Sequence, residues 1–422
     1  MAKILQTQAI VADTFRTQFD SVKINTDNSS GDAFGRLRVS EPTVLFDSKQ
    51  LFDNEPLFWD EELESGAGIS SAHSVDTAST TLTSTLNTAG VFTRQTFMRF
   101  NYQPGKSQLI LMTGILKESG GGTGVKRSIG YFDDNNGLFF SDIEGVVNVV
   151  RRTNVTGTPA DNAVAQSNWS VDAMDGTGPS GLTIDWSKTQ IFVIDFEWLG
   201  VGRVRFGVNV DGVTYYVHEM LNANLLDEVY MSTPNLPLRY QMTTTASSPA
   251  STLKHICASV ASEAGQQQLG SIQAYSTGSS VISANSDGTI YPVVGIRLKS
   301  TNIGADINLI DVNLSETQGG KTLEWLVLLN PTVTGTFTFA DITNSSLQGA
   351  TGDTATATGG TALATGFFTS GTRGGSGSGL VQNAIKLGAA IDNTADEIVL
   401  CVRPISSTNC DVHGSIAWRE SP

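Results

Sequence analysis

The most regular hydrophobic pattern in the chain runs from Gln190 to Met220, "QIFVIDFEWLGVGRVRFGVNVDGVTYYVHEM". In its first third, Phe192, Ile194, Phe196 and Trp198 fall on one side of an extended strand. Ile191, Val193, Asp195 and Glu197 fall on the other, because successive side chains of a strand point to opposite faces. The next strand repeats this, with Val204, Phe206, Val208 and Val210 against Arg203, Arg205, Gly207 and Asn209. A loop at Gly200-Val201-Gly202, with Gly202 left-handed, keeps the apolar sides together and sets Glu197 opposite Arg205. Asp211-Gly212 is a two-residue hairpin signal. It returns Val213, Tyr215 and Val217 to the apolar side and Thr214, Tyr216 and His218 to the polar one, with His218 opposite Arg205. The pattern predicts a three-stranded meander with an apolar inner face and a charged face open to solvent.

Similar short strands fill the rest of the chain. "FTRQTFMRFNYQ" alternates around Phe92, Phe97 and Phe100, and the apolar run Ser107 to Leu116 predicts a strand covered on both sides. "SIGYFDDNNGLFFSD" reads as two strands about Asp133–Gly137, a turn dense in residues that tolerate positive φ. Ser251 to Gly265 fits a helical stripe and a strand alternation alike, and its β-rich surroundings favour the strand. A polar stretch near 266–288 suits a linker. Beyond it, "YPVVGIRLKS", "DINLIDVNLSE", "KTLEWLVLLNP", "GTFTFADI", "EIVLCVRPI" and "DVHGSIAWRE" predict a second set of strands. Between the last two groups, Gln348 to Gly379 is rich in Gly, Thr, Ala and Ser, predicting long loops, disorder or an exposed edge with "TALATGFFTS" pairing inside it. Residues 1–45 are polar and turn-rich, and read as an arm that is ordered only against another surface.

The predicted fold is therefore all-β: two β-sandwich or jelly-roll domains preceded by an extended N-terminal arm. The expected boundaries are an arm over 1–45, a lectin-like jelly roll over 46–265, a linker over 266–288 and a second sandwich over 289–422. A length of 422 residues agrees with more than one core.

Charge and composition narrow the partners. The net charge is −15, from 41 acidic and 26 basic residues. Such a chain gains nothing from the counterion release that drives nucleic-acid binding, and anionic membranes repel it. No stretch of about 20 apolar residues would cross a bilayer, and the first residues lack the apolar core of a signal peptide. Cys257, Cys401 and Cys410 are too few for a secreted disulfide framework; free buried thiols are the expectation, with Cys401 facing Cys410 across a hairpin as the alternative. These features point to folding in a reducing cytoplasm.

Candidate chemistry centres on Asp195 and Glu197, two residues apart on one strand face with Arg203, Arg205, Tyr216 and His218 nearby. A spacing of about 6.6–6.8 Å between their backbones suits a glycosidase pair. Arginine beside a carboxylate, however, stabilises the ionised form, the opposite of what a general acid needs. A third carboxylate of the E-x-D-x-x-E kind is also missing from Trp198 to Val201. The face is expected to be a salt-bridge ladder facing water or a sister subunit, with a ligand-binding face as the alternative. His73, His218, His255 and His413 show no metal-ligand spacing, "DDNNG" lacks the rest of a calcium loop, and "GGGTGVKRS" lacks the order of a phosphate loop. No catalytic residue, cofactor or metal is predicted.

"GDAFGRLRVSEPTVLFDSKQ" (Gly31 to Gln50) and "SGLTIDWSKTQIFVIDFEWLGVGRVRFGVNVDG" resemble a family of tailed-bacteriophage virion structural proteins, over about residues 30–265. The resemblance implies a jelly roll like those of concanavalin-type lectins, carried on a virus particle, and assigns no catalytic residue. It implies a protein of the particle exterior, a head decoration or a tail or fibre component, made in the host cytoplasm. Phe34, Arg36 and Arg38 mark the arm that would dock onto other virion proteins, and a homo-oligomer is expected, a trimer being the commonest arrangement by analogy. A glycan-binding adhesin and a polysaccharide-degrading enzyme are the alternatives.

Overall fold

The computed structural model describes residues 42–352, 354–369, 375–376, 386–405 and 408–421. Phe34, Arg36 and Arg38 lie outside the described residues, as does most of the arm. Fifteen strands form the first unit. They are β1 (Thr43–Lys49), β2 (Trp59–Gly66), β3 (Ile69–Ser74), β4 (Ser79–Ser84), β5 (Gly90–Thr96), β6 (Gln108–Ser119), β7 (Val125–Phe132) and β8 (Gly137–Ile143). There follow β9 (Val146–Thr153), β10 (Ala160–Ala165), β11 (Gln190–Phe196), β12 (Val204–Val210), β13 (Val213–Met220), β14 (Leu238–Thr244) and β15 (Ser251–Ser262).

These strands make two antiparallel sheets. One has the order β13-β12-β11-β6-β15-β4-β3, with β1 also paired to β15, and the other runs β10-β9-β8-β7-β14-β5-β2. Both sheets feed one core, with Ile110, Met112, Phe192, Ile194, Phe206 and Val260 from the first meeting Ile129, Tyr131, Phe140, Val149, Leu238 and Met242 from the second. The arrangement is a β-sandwich: each sheet buries one face against the other. The ambiguous segment 251–265 is a strand over Ser251–Ser262, held between β6 on one side and β4 and β1 on the other. The β6 run is not covered on both sides. Ile110, Met112 and Leu116 enter the core, while Leu109, Leu111 and Ile115 on the opposite face are only half-buried.

Polar side chains also cross between the sheets. Arg94 on β5 is fully buried and donates from Nε to His255 Nδ1 on β15 (3.1 Å), from Nη2 to Gln50 Oε1 (2.9 Å) and Asn54 O (2.6 Å), and from Nη1 to Glu61. His255 is stacked on Tyr240 with ring centroids 4.1 Å apart, and Trp59 lies 4.5 Å away. Arg127 on β7 donates to the carbonyls of Ser119 on β6 (2.8 Å) and Thr252 on β15 (2.9 Å), and to Asp142 Oδ2 on β8 (2.6 Å). Gly121 folds over that guanidinium at φ +101, and a Cβ there would stand 2.4 Å from Arg127 Nη2. The glycine-rich stretch that lacks the order of a phosphate loop is therefore shaped around an arginine.

The remaining strands build a second unit over a separate core. They are β16 (Ser271–Ser276), β17 (Ile282–Ala284), β18 (Tyr291–Leu298), β19 (Asp306–Glu316), β20 (Thr322–Leu329), β21 (Thr332–Thr334) and β22 (Ala340–Asp341). After them come β23 (Leu347–Thr351), β24 (Thr356–Thr358), β25 (Thr361–Thr369), β26 (Gly375–Ser376), β27 (Glu397–Pro404) and β28 (Cys410–Ser421). The sheets β16-β28-β19-β26 and β22-β23-β18-β27-β20-β25 enclose Val312, Trp418, Val293, Val327 and Leu400. Cys257, Cys401 and Cys410 are free, the last two buried.

Three expectations change here. The polar stretch 266–288 contributes β16 and β17, which pair with β28. "GTFTFADI" is a strand only at Ala340–Asp341; Phe337 and Phe339 instead pack edge to face at 5.6 Å, with Arg297 4.3 Å from the Phe339 ring. "TALATGFFTS" pairs with β20 rather than within its own glycine-rich region.

Two outcomes follow from this packing. Gly130 faces Phe139 across β7 and β8, and a Cβ there would lie 2.4 Å from Phe139 Cβ and 2.5 Å from Leu138 O. Gly130→Ala should destabilise the fold by about 1–3 kcal/mol in urea unfolding. Burial, and then the charge of Arg94, hold His255 well below the ordinary histidine value. The folded state therefore binds fewer protons than the unfolded chain once pH drops below about 6.5, so stability falls with pH from there, by at most about 1.4 kcal/mol per unit for this group. His218, lowered by burial, acts in the same direction. Urea midpoints between about pH 7.5 and about pH 5.5 should show this loss, and His255→Gln should reduce it; an unchanged slope would sink the assignment.

Candidate functional site

The predicted charged face exists as a face but is closed. Asp195 on β11 stands directly opposite Arg205 on β12, and Tyr216 on β13 stands opposite Gly207. Asp195 is 0% exposed, Arg205 2% and Tyr216 3%, so the expected solvent-facing ladder is corrected to a buried cluster. Gly207 makes room for the phenol: a Cβ at that position would lie 3.1 Å from Tyr216 Cδ1. The Arg205 guanidinium stacks on the Tyr216 ring at 4.1 Å and donates from Nη2 to Asp195 Oδ2. Tyr216 Oη donates to the same oxygen at 2.8 Å, and Ser107 Oγ donates to Asp195 Oδ1 at 2.7 Å.

Glu197 and His218 occupy other positions than those expected. The strand pairing is two residues out from the prediction, so Glu197 meets Arg203, not Arg205. Glu197 N donates to Arg203 O at 3.1 Å, and Arg203 N donates to Glu197 Oε1 at 3.0 Å. The reversal is centred on Gly200, with Leu199 at φ +36 and Gly200 at φ +81, while Gly202 is not left-handed. Because the shift is even, the apolar sides still coincide. A bulge between Phe206 and Gly207 then changes the partner strand, so Arg205 pairs with Glu219 and His218 with Phe206. Arg203 Nη1 lies 3.6 Å from Glu219 Oε1. His218 Nδ1 accepts the Ser170 N–H at 3.0 Å, which fixes the proton of the neutral ring on Nε2.

The six predicted residues therefore divide into a buried triad of Asp195, Arg205 and Tyr216, a loop clasp of Glu197 and Arg203, and an anchored His218. As a carboxylate dyad the face fails on geometry: donors hold both Asp195 oxygens, and a Glu197 oxygen is spent on its own loop. As an open sugar face it fails on burial.

Sequence reasoning missed the buried arginines. Arg94, Arg99, Arg127, Arg205 and Arg239 are all buried among the described residues. Arg239 donates to Gln95 Oε1 (2.8 Å from Nε) and to Asp134. The available signal was arginine flanked by apolar residues, as at Arg99 in "MRF", Arg205 in "VRF" and Arg239 in "LRY". Alternation alone reads such a residue as solvent-facing. Among the described residues no group of three metal-capable side chains forms, and no helix is long and apolar enough to cross a membrane.

No protein-family model and no curated protein matches the chain. Among solved structures it is similar to an endo-1,3-beta-glucanase from Streptomyces sioyaensis, at 13% identity over 53% of this chain and 97% of that one, with a TM-score of 0.32. It is also similar to peanut lectin, at 9% identity over 53% of this chain and 98% of that one, with a TM-score of 0.29. A third similarity is to the CBM2 module of the evolved Dit of Lactobacillus casei BL23 phage J-1, at 6% identity over 54% of this chain and 99% of that one, with a TM-score of 0.33. No residue role passes from these proteins to this chain.

The triad makes a prediction about stability. Asp195→Asn removes the charge that compensates a buried guanidinium and should cost about 3–5 kcal/mol. Tyr216→Phe removes one hydrogen bond and should cost about 1 kcal/mol. Urea unfolding of both variants checks the order, and an Asp195→Asn protein as stable as the parent would refute the role.

Proposed function

We propose that the chain is a non-enzymatic structural protein on the exterior of a tailed-bacteriophage virion, a head decoration or a tail or fibre component. It oligomerises, a trimer being the expected state, and docks onto other virion proteins through the arm of residues 1–45. The observation that carries this reading is the closed state of the Asp195–Arg205–Tyr216 face. Its charges satisfy one another inside the sheet, which suits a rigid scaffold and leaves that face neither a catalytic pair nor a sugar platform. The resemblance of Gly31 to Gln50 and of the β11–β13 region to virion proteins supports the same reading.

Exposed apolar side chains supply surfaces for lateral contact. Leu199 and Val201 in the β11–β12 loop and Leu221, Leu225, Leu226 and Val229 between β13 and β14 are all exposed. Tyr230 N donates to Gly200 O at 2.9 Å and Asn222 Nδ2 to Gly202 O at 2.6 Å, so the two loops share one end of the sandwich. Clustered exposed apolar residues of this kind mark contact surfaces. The adhesin alternative requires a different surface from the predicted one.

Mass spectrometry of purified particles should find the chain, and a version lacking residues 1–41 should fold yet fail to enter them. Absence from particles, or incorporation of the truncated chain at the full level, would overturn the proposal.

A further inference from the structure

Four of the five buried arginines are tied to hydrogen-bonding partners. The fifth, Arg99, is not. Its side chain is 4% exposed, and its ion-pair contact is Nη2 to Asp133 Oδ2 at 3.6 Å, beyond hydrogen-bonding range. Its Nη1 is buried without a partner. Burial, only partly offset by Asp133 and reinforced by the nearby Arg239, holds the Arg99 guanidinium below the ordinary arginine value. A buried cation with an idle donor costs several kcal/mol unless something completes its shell.

Arg99 lines a cleft of about 390 Å³ between the first unit and the Ser300–Ala305 turn of the second, a volume that suits a small molecule. The walls are fixed. Asn235 Nδ2 donates across the cleft to Gly304 O at 2.9 Å, and Asp133 Oδ1 accepts the N–H groups of Asn135 and Asn136, both at 2.9 Å. Amides and hydroxyls dominate the lining, with Asn135, Asn154, Thr301 and Asn302 among them, and only Ile303 and Ala305 bring apolar side chains. Asn154 Oδ1 is a second buried polar atom without a partner.

We infer that this cleft is a binding site for a carboxylate-bearing sugar, with Arg99 receiving the carboxylate and the amide and hydroxyl lining receiving the ring hydroxyls. A planar guanidinium fork matches a carboxylate, and side-chain amides offer both donors and acceptors to hydroxyls. Asp133 beside Arg99, in a chain of net charge −15, disfavours a phosphate of higher charge. A single carboxylate on a neutral polyol fits this balance. The site does not depend on the virion proposal, and it lies apart from the Asp195 face.

Calorimetric titration of the full chain with glucuronate, glucose and acetate tests the inference. Glucuronate should bind more tightly than glucose or acetate by about tenfold or more. Arg99→Gln should remove that preference. Asn135→Glu, an exposed position at the cleft, should weaken glucuronate at low salt by about fivefold or more beyond any change in glucose affinity. Because Asn135 is exposed, this second variant decides the matter even if Arg99→Gln fails to fold. Absence of glucuronate binding, glucuronate no tighter than glucose or acetate, or glucuronate affinity unaffected by the substitutions would each overturn the proposal.

Discussion

The first sandwich depends on two arginines that reach from one sheet to the other. Arg94 and Arg127 leave the second sheet and end on groups of the first: His255 for one, the carbonyls of Ser119 and Thr252 for the other. A guanidinium carries five donors in a fixed plane, so satisfying it inside a core dictates where several acceptors must stand. Apolar packing alone tolerates small sliding of one sheet over another, since area is nearly conserved. These directional contacts do not, and they set the position of β15 and its neighbour β6 against β7 and β5. Since β11–β13 extend the same sheet from β6, the placing of the whole meander inherits that constraint.

On the outer faces the same side chain works along a sheet rather than across the sandwich. Arg205 joins β11, β12 and β13 through Asp195 and the Tyr216 ring, and Arg239 joins β14 to β5 through Gln95. Such a cluster is costly to assemble and very costly to break, because losing one member strands a buried charge. That asymmetry favours a face with a single arrangement over one that opens to substrate. Function in this chain is better sought at its loops, its apolar end and its cleft than on the charged face of β11–β13.

Much of this architecture was legible in the sequence, because period-two patterning and turn chemistry survive folding locally. Asp211-Gly212 joins β12 to β13 and Asp133–Gly137 joins β7 to β8 as read. The apolar residues of β11 and β12 enter the core as assigned. Pairing details were less legible: a reversal centred on Gly200, one residue earlier than assumed, leaves the faces alone but exchanges Glu197 for Asp195 as the partner of Arg205. The bulge after Phe206 has no signature in single-residue preferences, so it moved His218 without warning. Burial of charge was the largest misreading. A charged residue in a strand reads as outward and wet, and only the neighbours brought by the tertiary fold show that it is neither.

The glycines at 120–122 have a consequence for engineering the surface of this protein. Exposed, glycine-rich turns are the usual places to splice in a foreign peptide for display. Here the turn closes over Arg127, and its backbone leaves no room for a Cβ above the guanidinium. An insertion there would uncover a linchpin of the sandwich interior. The β9–β10 turn at Gly157, with nothing within 4 Å of an added Cβ, is a hairpin on which cargo can be carried without disturbing the molecule beneath.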